Sequence, residues 1–184
     1  KDGTIVFDPY QANSVPGLNS LKLKANLVLC SHEHDDHNAR NCVEVAPKDF
    51  KVTCIETYHD HHQGSHRGKN TIHIVDFEDL KVVHMGDIGC MMDDVSKLKN
   101  CDVLMIPIGG YYTIDTKEAL KYIERIQPRI VIPMHYHSHE FGYDVLSTNE
   151  EFIQQSSSVT YVDDCLEVNK DTKTQTVVFK KPRN

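Results

Sequence analysis

Ser31-His32-Glu33-His34-Asp35-Asp36-His37-Asn38 is the stretch on which the fold is read. Its pattern is His-x-His-x-Asp-His, with three imidazoles and two adjacent carboxylates inside six residues. It follows an apolar run, Ala25 to Cys30, that reads as a buried strand ending at the motif. Imidazole nitrogen and carboxylate oxygen are good ligands for zinc, iron and manganese. Strand alternation would put His32 and His34 on one face but separate Asp36 from His37, so a turn is needed there. With that turn, His32 and His34 can face one metal, and Asp36 and His37 a second. A polar turn rich in histidine is the plain alternative, but this spacing is far more specific than a lone His.

The same residue types recur at the ends of other predicted strands. Thr4 to Phe7 is a short β-branched and aromatic strand stopped by Asp8-Pro9, a pairing that an ordinary Asp-Pro turn also explains. Gln11 to Lys24, with Pro16, Gly17 and several Asn and Ser, is a loop. Lys51 to Tyr58 reads as a strand with His59 at its end, and His61, His62 and His66 follow in a loop that could hold metal in many ways. Thr71 to Phe77 and Leu80 to Met85 are two strands joined at Glu78-Asp79. The second ends at Gly86-Asp87, where glycine lets the backbone turn sharply and a carboxylate can bridge two metals. Val103 to Ile108 is fully apolar and suits a buried sheet; the loop Gly109-Gly110-Tyr111-Tyr112-Thr113 at its end can shape a pocket. Arg129 to Pro133 is a further apolar strand delivering His135, with His137 and His139 alternating after it. All these candidate ligands sit at the C-terminal ends of strands, as a single shared edge requires.

The helices are few. Ala39 to Glu44 and Asp93 to Lys99 are expected as short helices. Asp115-Thr116-Lys117-Glu118 is a capping box opening a helix that Pro128 ends. Thr148-Asn149-Glu150-Glu151 is a second box, opening a helix to about Gln155. Val159 to Val162, Leu166 to Val168 and Thr174 to Phe179 are expected as terminal strands, the last two joined by a hairpin turn at Lys170 to Lys173. Helices alternating with strands, and strands also adjacent, argue for a mixed α/β domain with helices outside two packed sheets. No linker divides the chain, so residues 1–184 are read as one domain.

Composition narrows the function classes. A formal charge of −7 opposes attraction to nucleic acid, whose affinity rests on phosphate neutralisation. No apolar run approaches the roughly 18 residues a membrane helix needs. The six cysteines form no C-x-x-C pair and several lie in apolar strand-like runs, which reads as reduced thiols in a cytoplasmic protein. Arg67 and Lys69 suit an anionic substrate group, or else a solvated turn.

The motif His32-x-His34-x-Asp36-His37 resembles the signature of the metallo-β-lactamase superfamily. Tyr58-His59-Asp60, Arg67-Gly68-Lys69-Asn70, His84-Met85-Gly86-Asp87-Ile88-Gly89, Pro107-Ile108-Gly109-Gly110 and Pro133-Met134-His135-Tyr136 fit the same pattern in order and spacing. Together they are similar to the metal-dependent hydrolase branch that includes the ascorbate-6-phosphate lactonase type. The resemblance implies a four-layer αββα sandwich with metals in loops along one sheet edge. It also implies strands before Thr4, an edge that another segment or a second copy in a homo-oligomer would complete.

The resemblance further implies two divalent ions, zinc first, with manganese and iron as alternatives. His32, His34 and His59 would bind one ion; Asp36, His37 and His135 the other; Asp87 would bridge. The reaction implied is hydrolysis by a water held and acidified between the ions, with Asp36 orienting it. Asp8 would lie behind the ligands and take the free N–H of one histidine. Arg67, Lys69 and Tyr112 are the candidates to contact a small anionic substrate, a lactone or phosphoester, and the general acid is left open among Tyr111, Tyr112, Tyr136 and His137. His61, His62, His66, His137 and His139 are then loop histidines. A nuclease or phosphodiesterase, or a di-iron redox protein, is the alternative on the same fold.

Overall fold

The computed structural model describes residues 3–180. Eleven strands alternate with two α-helices: β1 Ile5–Phe7, β2 Leu23–Ala25, β3 Leu27–Leu29, β4 Val43–Val45, β5 Lys51–Tyr58, β6 Lys69–Phe77, β7 Leu80–His84, β8 Val103–Pro107, α1 Thr116–Ile126, β9 Ile130–Met134, α2 Glu150–Gln155, β10 Val159–Val162 and β11 Gln175–Phe179. Seven strands make the main sheet, in the order β10-β11-β9-β8-β7-β6-β5. Neighbours are parallel except where β6 meets β5 and β7. Because β6 alone runs backwards, β5, β7, β8 and β9 all end on the same edge. The residues that follow those strands, His59, Asp87 and His135 among them, are therefore delivered to one place.

The second β layer is short. β1 pairs with β3, and β2 with β4, both in parallel. Asn26 breaks the run 23–29 into β2 and β3 and stitches its neighbours together. Its side-chain oxygen accepts from Thr4 N–H at 2.9 Å and its amide donates to Ala46 O at 2.7 Å. Phe7 of β1 then stacks on His84 of β7, with ring centroids 4.9 Å apart, which fixes the small layer over the main sheet. Among the described residues both α-helices bury side chains in the larger core, on the opposite face.

Strand periodicity sorts that core. Leu104 and Ile106 of β8 face α1 and α2, meeting Tyr122, Ile126 and Phe152, while Val103 and Met105 face the other way with Ile130 and Val177. The capping box forms as expected: Asp115 accepts from Glu118 N–H at 2.9 Å, and the Glu118 carboxylate accepts from Asp115 N–H at 3.2 Å. Tyr122 reaches from α1 to the turn beyond the site, accepting from Met92 N–H and donating to Cys90 O.

Four expected elements differ. Ala39 to Glu44 is a single 3-10 turn, Arg40–Cys42, and then strand β4, because β-branched Val43 and Val45 favour pairing with β2. Asp93 to Lys99 yields only the 3-10 turn Ser96–Leu98: Asp94 takes Ser96 N–H and Oγ, and this local turn competes with helix. The box at Thr148 does not form, since Asn149 is the N-cap and makes no side-chain cap bond. Finally, Leu166 to Val168 is not a strand, so the expected hairpin at Lys170 to Lys173 does not form, and β11 pairs in parallel with β10 instead. Leu166 and Val168 are drawn onto the sheet face, so the connection crosses over it.

Candidate metal centre

Asp87 is the hub. It lies three residues beyond β7, is 2% exposed, and its Oδ2 has four imidazole Nε2 atoms around it. His135 is at 3.1 Å, His37 at 3.3 Å, His59 at 3.4 Å and His32 at 3.9 Å. His34 joins the edge of the group, its ring 4.6 Å from that of His32 and 5.2 Å from that of His59. Asp36 approaches His37 Nε2 at 3.7 Å. Three sets bring their ligand atoms within 4.8 Å of one another: His32, His34 and His59; His32, Asp36 and His37; and His37, Asp87 and His135. All seven candidate ligands therefore converge. Asp36 falls with His32 and His37, outside the tight set around His135.

The backbone is shaped for this. Gly86 has φ +56°, and a Cβ there would stand 2.4 Å from Ser31 Cβ and Asn70 Oδ1. The chain can thus carry Asp87 against the His-rich turn only with glycine before it. His135 (φ 53°) and Asp8 (φ 43°) also take left-handed conformations, which His and Asp tolerate better than most residues.

Carbonyl and carboxylate oxygens behind the cluster set the imidazole tautomers. His37 Nδ1 lies 3.0 Å from Asp8 Oδ2, and His59 Nδ1–H donates to the Tyr112 carbonyl at 3.0 Å. Ser31 Oγ donates to Asp8 at 2.6 Å, which leaves its oxygen to accept from His32 Nδ1–H at 2.9 Å. Each of these three rings then presents Nε2 to the centre. Asp8 also takes Ser31 N–H at 2.6 Å. Burial would raise the Asp8 carboxyl, but its bond to His37 and the nearby charge of His84 and His37 bring it down to about 2.

Protons and cations compete for this site. Burial alone would raise the Asp87 carboxyl, yet His135 and His37 hold it well below the usual carboxylate range. In return Asp87 outweighs burial and raises His37 and His135. His32 is pushed down to about 3 by burial, against the pull of Asp87, and burial also lowers His59. These two are neutral at pH 7, the state a ligand needs. Among the described residues, four buried side-chain polar atoms lack a hydrogen-bond partner; His32 Nε2 and Asp87 Oδ1 are two of them, both in this cluster. Buried lone pairs left unmatched are costly, and a cation between them satisfies both. The donor set, nitrogen and carboxylate oxygen only, fits zinc, iron or manganese.

Several contributors were not singled out from sequence. Asn70 is fully buried; its Oδ1 accepts from Asp87 N–H at 2.9 Å and its amide donates to Thr57 Oγ1 and Met85 O. Asp60 accepts from the backbone N–H groups of His62, Gly64, His66 and Arg67, freezing the loop that carries Arg67. Arg67 stacks over Tyr112 at 4.0 Å, and among the described residues no carboxylate is paired with it. Lys69, expected beside it, instead carries its ammonium to Glu56 at 3.2 Å. Tyr111 is exposed, while His137 faces Asp144 at 3.4 Å. His61, His62 and His66 are exposed.

Two cavities flank the cluster. One, of about 210 Å³, is lined by Arg67, Tyr112 and the candidate ligands His34 and His59. The other, of about 310 Å³, lies between the two β layers and is mostly apolar. Asp36, Asp87, His135 and Tyr143 line both.

The β-lactamase superfamily domain, as a family model, matches residues 1–135. This chain belongs to the metallo-β-lactamase superfamily. Within the superfamily, a UPF0173 metal-dependent hydrolase of Natranaerobius thermophilus is 30% identical, over 74% of this chain and 77% of its own. A UPF0173 metal-dependent hydrolase of Staphylothermus marinus is 28% identical, over 73% and 74%. The chain is accordingly a member of the UPF0173 metal-dependent hydrolase family. A Thermotoga maritima protein, provisionally assigned as a Zn-dependent hydrolase of the metallo-β-lactamase superfamily, superposes with a TM-score of 0.77. It is 27% identical and covers 97% of this chain and 90% of its own. The expected superfamily fold is therefore the one this chain adopts. Among the described residues no helix is long and apolar enough to cross a membrane.

Proposed function

We propose that this protein hydrolyses a small ester, lactone or phosphoester bearing an anionic group, using two divalent metal ions, zinc foremost. The observation that carries this reading is the convergence of His37, His59, His135 and His32 on one buried carboxylate whose second oxygen has no partner. His32, His34 and His59 would hold one ion, Asp36, His37 and His135 the other, with Asp87 between. Such ions, when bound, supply Lewis acidity that acidifies water and offsets charge on a substrate oxygen.

The chain's own residues do the rest. Ser31, Asp8 and the Tyr112 carbonyl hold the Nδ1 side of three imidazoles, so Nε2 is the nitrogen each ring turns toward an ion. Asp36, only partly buried at the mouth, can orient a water and take its proton. Arg67, stacked on Tyr112 and lacking a carboxylate partner among the described residues, receives the substrate's anionic group. A small molecule suits the site better than nucleic acid, since the formal charge is −7 and Glu33 and Asp35 stand exposed beside the motif. The resemblance to the ascorbate-6-phosphate lactonase type puts lactones and phosphoesters first among substrates to try. The test is a panel of lactones, carboxylic esters and phosphoesters, with protein loaded in turn with zinc, manganese and iron. Metal-dependent turnover of at least one class is expected; metal-loaded protein inert on all of them overturns the reading.

A further inference from the structure

The larger cavity has walls and a floor of different chemistry. Its walls are Phe7, Val15, Leu18, Met134, Phe141 and Leu146. Its titratable side chains, apart from tyrosines, are Asp8 and His84 behind the cluster and the candidate ligands Asp36, His37, Asp87 and His135. At about 310 Å³ it is at the lower end of small-molecule pockets, roughly 300–1,000 Å³.

It is also built, not an accident of two adjacent loops. The loop after β1 and the loop after β9 are fastened to each other over it. Tyr143 Oη donates to Ser14 O, and Gly142 N–H donates to Pro16 O at 3.0 Å. Gly17, with φ +78°, sits so close to the Glu140 carbonyl that a Cβ would come within 1.9 Å of its oxygen. Tyr10 Oη closes the first loop on itself by donating to Asn19 O at 2.8 Å. A roof tied at these points keeps apolar walls apart without collapsing, which has a use only if something apolar enters.

We infer that this cavity holds a hydrocarbon arm of the substrate, joined directly to the group that is hydrolysed at the His37–Asp87–His135 floor. The inference rests on the hydrolase reading and narrows it to amphiphilic substrates. At about 30 Å³ per carbon-sized group and interior packing density, the arm has on the order of six to ten carbons. In the reaction the hydroxyl of water joins the acyl or phosphoryl centre, the bond to the leaving oxygen breaks, and that oxygen takes the remaining proton. The arm itself is unchanged.

The experiment measures binding rather than turnover. Zinc-loaded protein is titrated calorimetrically with n-alkylphosphonates from ethyl to decyl, which carry an anion and an arm but no hydrolysable bond. Affinity should rise roughly threefold to fourfold per methylene up to about octyl and then level off. Leu18→Trp, which fills the cavity from a half-buried loop position, should flatten the series while leaving zinc content and ethylphosphonate affinity unchanged. Val15→Phe serves as a second filling variant should Leu18→Trp fail to fold. A flat series on zinc-loaded protein that binds ethylphosphonate overturns the cavity assignment and leaves the hydrolase reading standing. Protein that retains no zinc and binds no phosphonate overturns both. Octylphosphonate binding unaltered by filling also overturns the assignment.

Discussion

Asp87 is held ionised by the imidazoles of His135 and His37, and that sets what single substitutions should do. Asp87→Asn keeps the size and the backbone bond to Asn70, so the fold should persist. It removes the charge that draws His37 and His135 inward, and turnover should fall by more than about 100-fold with loss of metal. Full activity with metal retained would make Asp87 only a turn residue. His59 tests the register against its neighbours. It is 2% exposed and immediately follows β5, whereas His61, His62 and His66 are exposed in the loop beyond. His59→Ala should empty its site and abolish activity, while His61→Ala, His62→Ala and His66→Ala keep both. Metal content and turnover across the four variants decide it; an empty site in His61→Ala or His62→Ala alone would shift the register. Asp8→Asn should weaken metal affinity about 10- to 100-fold, because Asp8 fixes His37 directly and His32 through Ser31.

Elements explain what could be read in advance. His59, Asp87, His135 and Asp8 each follow a strand end by one to three residues, so strand periodicity placed them on one edge without tertiary information, while the family resemblance picked them out from their neighbours there. The capping box at Asp115 was equally local, and its contribution is measurable. Asp115→Ala should cost about 0.5–2 kcal/mol in urea denaturation, whereas Thr148→Ala should change little because that box does not form. Equal losses in the two variants would contradict this. What sequence did not reveal depends on distant partners. Tyr143 lies far along the chain from Ser14, and only packing brings them together. Asp60 looked like part of a His-rich loop, and its four backbone acceptances appear only once the loop is folded. The parallel pairing of β10 and β11 followed from Leu166 and Val168 seeking the sheet face, a preference no turn signal near Lys170 encodes. Lys69 was misplaced for a like reason: strand alternation on β6 sends it to Glu56 on β5, away from Arg67.

At the scale of the molecule, both β layers meet over buried histidines, and acid should loosen them. His73 is pushed down to about 4 by burial first and then by His84, from an ordinary value of 6.5. The unfolded chain takes a proton near pH 6.5 while the folded one resists until about 4, so stability falls as pH drops through that window. A shift of this size corresponds to roughly 3 kcal/mol. The urea midpoint of wild type should therefore fall more steeply than that of His73→Leu as pH is lowered from 6.5 to 4; parallel curves would remove His73 from the account. The same acidification should release metal, since His37 and His135 regain protons as it leaves. The central claim is the two-ion centre itself, and elemental analysis addresses it most directly. Protein loaded with zinc and dialysed at pH 7.5 should retain two ions per chain, falling to one or none in Asp87→Asn. Wild-type protein that retains no zinc, manganese or iron, or an Asp87→Asn variant that retains as much as wild type, would contradict it.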